Sequence, residues 1–188
     1  MVVQVIFDFL DPDVIRGWYS IDDVVMGGRS RSQVSGDPAE GMIFSGTLSL
    51  ENGGGFASIR SAVGSYDLGR ASGVQLVVRG DGLRYKLSLR CDSAFDGIAY
   101  QAGFATRRDE IQTIPLPWTV FAPSYHGRVL PDAPSLNPAR IRSFGFLCAE
   151  RRPGPFRLAI RCLLPLEEEW NATASGDAVP GPADPGEN

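Results

Sequence analysis

The sequence is poor in the residues that most catalytic and metal chemistry relies on. Among 18 basic residues only Lys86 is lysine, and His126 is the single histidine. Any Ser-His or Cys-His nucleophile would have to use His126. That residue lies in the polar loop "PSYHGRVLP", between proline signals, where a lone histidine is ordinarily solvated. Cys91, Cys148 and Cys162 stand far apart with no CxxC pair, a spacing that excludes the common zinc motifs. They read as reduced thiols packed as small hydrophobes. No loop has the spacing of an EF-hand, so Asp8, Asp11, Asp13, Asp22 and Asp23 read first as turn and cap residues, with an acidic-loop calcium ion as the alternative. No cofactor and no metal site is expected.

Long apolar runs are missing too. None approaches the ~20 residues a membrane-spanning helix needs, and the opening "MVVQVIFDFLDPD" has no basic region and soon meets Asp8 and Asp11. The expectation is a soluble, cytoplasmic chain without direct membrane insertion. A formal net charge of −4 argues against a nucleic-acid partner, which would call for a basic face. No long stretch keeps a 3.6-residue apolar period. Short helical turns are expected only around Pro12–Trp18 and Asn137–Arg142, where proline sits in the first turn.

What is present is alternation. In "MIFSGTLSL" Met42, Phe44, Leu48 and Leu50 share a face. In "RYKLSLR" Tyr85, Leu87 and Leu89 oppose Lys86, Ser88 and Arg90, and in "FRLAIRC" Phe156, Leu158, Ile160 and Cys162 oppose Arg157 and Arg161. Period-two patterns of this kind mark half-buried strands. "GVQLVVRG" is more continuously apolar and suits a central strand covered on both sides. Turn signals at Asp37-Pro38, Gly80-Asp81-Gly82, Asp96-Gly97 and Pro153-Gly154-Pro155 separate the strands. The architecture expected is all-β: two antiparallel sheets packed as a sandwich of jelly-roll type, forming one domain over 1–170 in this 188-residue chain. Residues 171–188, rich in Ala, Gly and Pro, are expected to be a disordered tail, since they hold too little apolar surface to offset ordering entropy.

Glycine is concentrated where function is to be sought. "ENGGGFASIRS" sets Gly53, Gly54 and Gly55 before Phe56 and Arg60, and "DDVVMGGRS" sets Asp22, Asp23 and Met26 beside Gly27, Gly28 and Arg29. A P-loop would end in Gly-Lys-Ser/Thr and open a helix, and a dinucleotide fingerprint needs a strand-turn-helix in a parallel sheet; neither fits. Glycine in a sheet region marks a bulge, a bend or a close backbone approach. The two segments are expected to lie together, with at least one triplet glycine at positive φ. Arg29 and Arg60 would either fork onto a partner's oxygens or pin loops by pairing with Asp22, Asp23 or Asp81. "RGDG", Arg79–Gly82, reads as a tight strand-to-strand turn with Gly80 and Gly82 at positive φ.

These segments, with Trp18 ahead of "DDVVMGGRS" and with "FSGTLSLENGGGFASIRS", "GVQLVVRGDGLRYKLSLR", "QTIPL", "YHGR", "IRSFGFL" and "GPFRLAI" in order, resemble the complex I intermediate-associated protein 30 family from about Phe7 to Leu164. The resemblance implies a galactose-binding-like jelly roll and a role outside ordinary catalysis. Mitochondrial members assist assembly of the respiratory NADH dehydrogenase, and plastid relatives act in photosystem II biogenesis. With neither a presequence nor a Rossmann partner, this chain is expected to be a bacterial stand-alone member. His126 departs from an aromatic-Arg-Gly-Arg loop common in relatives, and the tail is a segment that the family pattern does not include. The first function class implied is a non-catalytic assembly factor or chaperone that binds protein partners, subunits of a membrane-bound electron-transfer complex among them. The second is a small-ligand or carbohydrate module using Tyr66, Tyr85, Tyr100, Trp118 or Tyr125, and the third an enzyme recruited onto the scaffold. The candidate surface comprises Asp22, Asp23, Met26, Gly27, Gly28, Arg29, Gly53, Gly54, Gly55, Phe56, Arg60, Arg79, Asp81, Arg84, Tyr125, His126 and Arg128.

Overall fold

The structure, a computed structural model, describes residues 5–23 and 27–167. The alternating segments become thirteen strands: β1 (Phe7–Asp8), β2 (Trp18–Ser20), β3 (Arg31–Asp37), β4 (Gly41–Leu48), β5 (Ala57–Ser61), β6 (Gly73–Arg79), β7 (Arg84–Arg90), β8 (Ala99–Ala105), β9 (Ile111–Pro117), β10 (Ala122–Tyr125), β11 (Arg128–Val129), β12 (Ser143–Cys148) and β13 (Gly154–Leu166). They pair antiparallel in two sheets. One runs β3-β4-β13-β6-β9 with β1 also on β13, and the other runs β11-β10-β8-β7-β12-β5-β2. Helical turns form at both expected places, as α1 (Pro12–Ile15), capped by the Asp11 side chain on Asp13 N–H, and a 3-10 turn at Pro138–Arg140 capped by Asn137. They are not confined to those places, since 3-10 turns also form at Glu51–Gly53 and Trp118–Val120.

The core lies between the sheets. Met42, Phe44 and Leu48 of β4, Leu158 and Ile160 of β13, and Val74, Leu76 and Val78 of β6 face Ile59 of β5, Tyr85, Leu87 and Leu89 of β7, and Phe144 and Phe146 of β12. Phe7 is the hub of an aromatic cluster, its ring 5.2 to 5.6 Å from those of four neighbours: edge-on to Trp18 and Phe144, tilted to Tyr66 and stacked on Phe9. Edge-to-face contact complements the ring quadrupoles and adds to the burial of apolar area.

Three strand readings need correction. Leu50 is exposed, because β4 ends at Leu48 and the chain turns into the glycine segment. Cys162 leaves the core face because the β13–β6 register shifts between Ile160 and Cys162, and Leu163 takes the buried position. β6 is not covered on both sides: Val74, Leu76 and Val78 are buried, while Gln75, Val77 and Arg79 are only half-buried on the outer face. No helix among the described residues is long and apolar enough to cross a membrane. Met26 and residues 171–188 lie outside the described residues.

Candidate functional site

The two glycine segments meet around a pair of carboxylates. Asp23, 1% exposed, accepts at Oδ1 from Ser30 N–H (2.8 Å) and at Oδ2 from Gly55 N–H (2.7 Å) and Phe56 N–H (3.3 Å). Asp22 accepts from the Ser32 N–H (2.7 Å), the Ser32 hydroxyl (2.6 Å) and Ser58 N–H (3.3 Å). Asn52 Nδ2 donates to the Gly27 carbonyl at 3.2 Å, and Arg29 pairs with Glu51 at 2.8 Å on the surface. Burial pushes the Asp23 carboxyl up, but the donors on Ser30, Gly55 and Phe56 outweigh it and hold the group below its ordinary value.

The glycines are needed by this arrangement. Gly53 (φ 74°) and Gly55 (φ 130°) occupy backbone that L side chains rarely adopt. A side chain on Gly54 would meet Asp23 Oδ2 at 2.6 Å, and one on Gly28 would overlap the same carboxylate. Asp22 and Asp23 thus form an anion-centred clasp, each carboxylate surrounded by N–H and O–H donors. Among the described residues no group of three or more His, Cys, Asp and Glu side chains gathers in a metal-holding arrangement.

Arg79 and Asp81 lie in a second group at another place, and Arg84 opens β7 beside it. Asp81 accepts from Leu83 N–H (3.0 Å), the Tyr85 hydroxyl (3.1 Å) and Arg157 N–H (2.7 Å). Arg79 and Arg157 share Glu40, and Arg84 N–H donates to Glu150 at 2.9 Å. Gly82 has the expected positive φ of 94°, but Gly80 does not; there glycine is required because a side chain would overlap Thr106.

Arg60 joins neither group. It points from the outer face of the seven-stranded sheet, where strand register aligns Tyr19 of β2, Arg60 of β5, Gly145 of β12, Ser88 of β7 and Gln101 of β8. Arg60 donates to the Phe95 carbonyl at 2.9 Å and lies 5.2 Å from the Phe95 ring centroid. Arg90 donates to the Gly97 carbonyl at 2.7 Å. Both guanidinium groups are pulled below their ordinary value, first by burial; the positive charge of Arg60 adds to this at Arg90. The loop 91–98 beside them is latched from its other side, with Asp96 accepting from the Tyr125 hydroxyl at 3.2 Å and lying 3.0 Å from His126 Nε2. His126 (φ 48°) and Gly127 (φ 77°) form the two-residue turn between β10 and β11, the conformation a tight hairpin requires, and Arg128 follows opposite Tyr125.

The structure thus brings together Asp22, Asp23, Gly27, Gly28, Arg29, Gly53, Gly54, Gly55 and Phe56. It places Arg60, Tyr125, His126 and Arg128 elsewhere, around the loop 91–98 and the hairpin beside it. Arg84 shares the outer face of the same sheet. The aromatic candidates divide likewise: Tyr85 and Tyr100 are core, Tyr66 packs on Phe7 and Phe144, and Trp118 donates to the Ala71 carbonyl at 2.6 Å. Sequence reasoning passed over Tyr19, Lys86, Arg90, Phe95 and Asp96. The alternation of "RYKLSLR" already set Lys86 and Arg90 opposite the core.

Comparison with known proteins gives one family and one fold. The family model described as Complex I intermediate-associated protein 30 (CIA30) matches residues 7–160. The mitochondrial Complex I intermediate-associated protein 30 of Drosophila melanogaster is 27% identical over 179 residues, covering 84% of this chain and 60% of that protein. The chain thus spans about 60% of the length of that relative. Among solved structures, the family 11 carbohydrate-binding module from Clostridium thermocellum, in complex with a β-1,3-1,4-mixed-linked tetrasaccharide, superposes with a TM-score of 0.63 at 15% identity, covering 88% of this chain and 97% of the module. A family 30 carbohydrate-binding module gives a TM-score of 0.52 at 10% identity, covering 86% and 87% of the two chains. The fold is the jelly-roll sandwich of such modules.

Proposed function

The chain belongs to the complex I intermediate-associated protein 30 family, and we propose from that premise that it is a non-catalytic, assembly-factor-like domain. It binds protein subunits during biogenesis of a membrane-bound electron-transfer complex. The observation that carries this reading is the family match across residues 7–160, which takes in both sheets, the Asp22–Asp23 clasp and the outer face bearing Arg60. The clasp fits a structural part in that role, because its polar groups are spent on one another. The outer face of the seven-stranded sheet fits the binding part, because Tyr19 and Phe95 stand 43% and 63% exposed beside Arg60, and aromatic and arginine side chains dominate protein interfaces.

Loss of the protein from its native cells should leave incomplete electron-transfer complexes in the membrane fraction, seen as smaller species on native gels and restored by re-expression. Normal complexes in its absence would contradict the proposal. A second reading, carbohydrate binding, is favoured by Tyr19, an exposed aromatic on an open sheet face of a sandwich whose fold is that of carbohydrate-binding modules. A glycan array distinguishes it, since a protein-binding domain should retain no neutral glycan.

A further inference from the structure

The cations of the outer sheet face are not distributed at random. Along β7 the positions opposite the buried Tyr85, Leu87 and Leu89 are Arg84, Lys86, Ser88 and Arg90. Arg60 lies in the same cross-strand row as Ser88, reached through Gly145. Arg60, Arg84, Lys86 and Arg90 therefore crowd one face of a chain whose formal net charge is −4. Among the described residues none of the four makes an ion pair. The carboxylates that act on Arg60 and Arg90 are Asp92 and Asp96 of the loop beside them; Asp96 is engaged by Tyr125 and His126, and Asp92 accepts from Ala94 N–H. Glu150, at the other end, accepts the Arg84 amide.

Arginine stays charged at any physiological pH, so two half-buried guanidinium groups side by side repel each other and retain unused N–H donors. The strand floor beside Arg60 is low, since Gly145 has no side chain and Ser88 is small, and Gly103 lies opposite Lys86. The Arg60 guanidinium already lies against the Phe95 ring, which obstructs that ring as a stacking platform for a sugar and leaves charge as the accessible feature. Asp92 and Asp96 temper the local field, which suits singly charged carboxylates better than a dianionic phosphate. From Arg84 to Arg90 the strand measures about 20 Å at ~3.3 Å per residue, room for roughly six residues of extended chain.

We infer that this face binds an extended acidic segment of a partner protein, laid along β7 with its carboxylates forked by Arg60 and Arg90. The inference rests on the protein-partner reading above and names the chemistry of the partner. Bidentate guanidinium–carboxylate pairing supplies the geometry, and the summed positive field of the face steers the segment to it.

The test is fluorescence anisotropy with labelled hexaglutamate, using hexaglutamine and hexagalacturonate as comparison probes. The full chain should bind hexaglutamate with an affinity that falls as salt rises, and should ignore hexaglutamine. Arg60→Gln with Arg90→Gln should weaken binding at least tenfold. So should Ser88→Glu, which sets a negative charge among the arginines without removing either. Arg16→Gln, just past α1, should change nothing. Equal binding by all variants, equal binding of hexaglutamine, or tighter binding of hexagalacturonate than of hexaglutamate overturns the inference, the last pointing to an acidic saccharide. If native partners are captured but hexaglutamate does not bind, this inference alone falls. If hexaglutamate binds and cells lacking the protein assemble their complexes normally, the assembly reading falls and the carboxylate site stands.

Discussion

The carboxylate of Asp23 accepts the amide of Gly55 at 2.7 Å, joining two loops that lie 32 residues apart in sequence. That one bond explains why both loops are rich in glycine. Backbone has to pass close to a buried carboxylate on two sides, and a Cβ on Gly28 or Gly54 would stand where the carboxylate is.

Removing the carboxylate should be costly. Asp23→Ala leaves the buried amide of Ser30 and the part-buried amides of Gly55 and Phe56 without this acceptor, and an unsatisfied buried donor costs about 1–3 kcal/mol. A total loss of at least about 2 kcal/mol is expected in denaturant melts. Because the folded-state carboxyl is held below its ordinary value of 3.8, its stabilisation is complete above that value and is lost as pH falls through the lower folded-state value. Asp23→Asn should therefore flatten the acid limb of the stability profile below about pH 4, and an unchanged acid limb would contradict the assignment.

The glycines should rank by mechanism. Gly53→Ala has open space but a strained φ, and should cost about 1 kcal/mol. Gly54→Ala and Gly28→Ala meet the Asp23 carboxylate directly and should cost more, with loss of the clasp. Thermal melts in which Gly54→Ala is as stable as the parent would show that the clasp yields without cost.

Thiol reactivity offers a check on the core. Burial pushes the Cys148 thiol up to about 12, so almost none of it is thiolate at neutral pH. Cys91 and Cys162, both half-buried, should be alkylated before Cys148 in a timed mass-spectrometric experiment. Cys148 should react only at the rate of global unfolding. Prompt labelling of Cys148 in the folded protein would place β12 outside the protected core.

Much of the fold was legible because alternation in "RYKLSLR" and "MIFSGTLSL" states which side chains face inward, and turn signals state where strands end. The Cys162 reading failed because a bulge between Ile160 and Cys162 shifts the face without any mark in the residue types. The site was less legible, since it depends on which strands become neighbours. Arg29 and Arg60 follow their glycines in similar ways, yet one caps a surface loop through Glu51 and the other stands on the outer face of a sheet. The partnership of Arg60 with Arg90 and Phe95 arises only after β12 inserts between β5 and β7, and local sequence carries no sign of that insertion.

The central claim, that a protein partner binds the outer face of the seven-stranded sheet, is tested most directly by quantitative affinity capture from native membranes with the parent chain and with Ser88→Glu, their melting curves first shown to match. The account predicts that the parent enriches subunits of a membrane-bound electron-transfer complex and that Ser88→Glu loses at least nine-tenths of that enrichment. Equal enrichment by the two proteins, or none of those subunits with the parent, would contradict it.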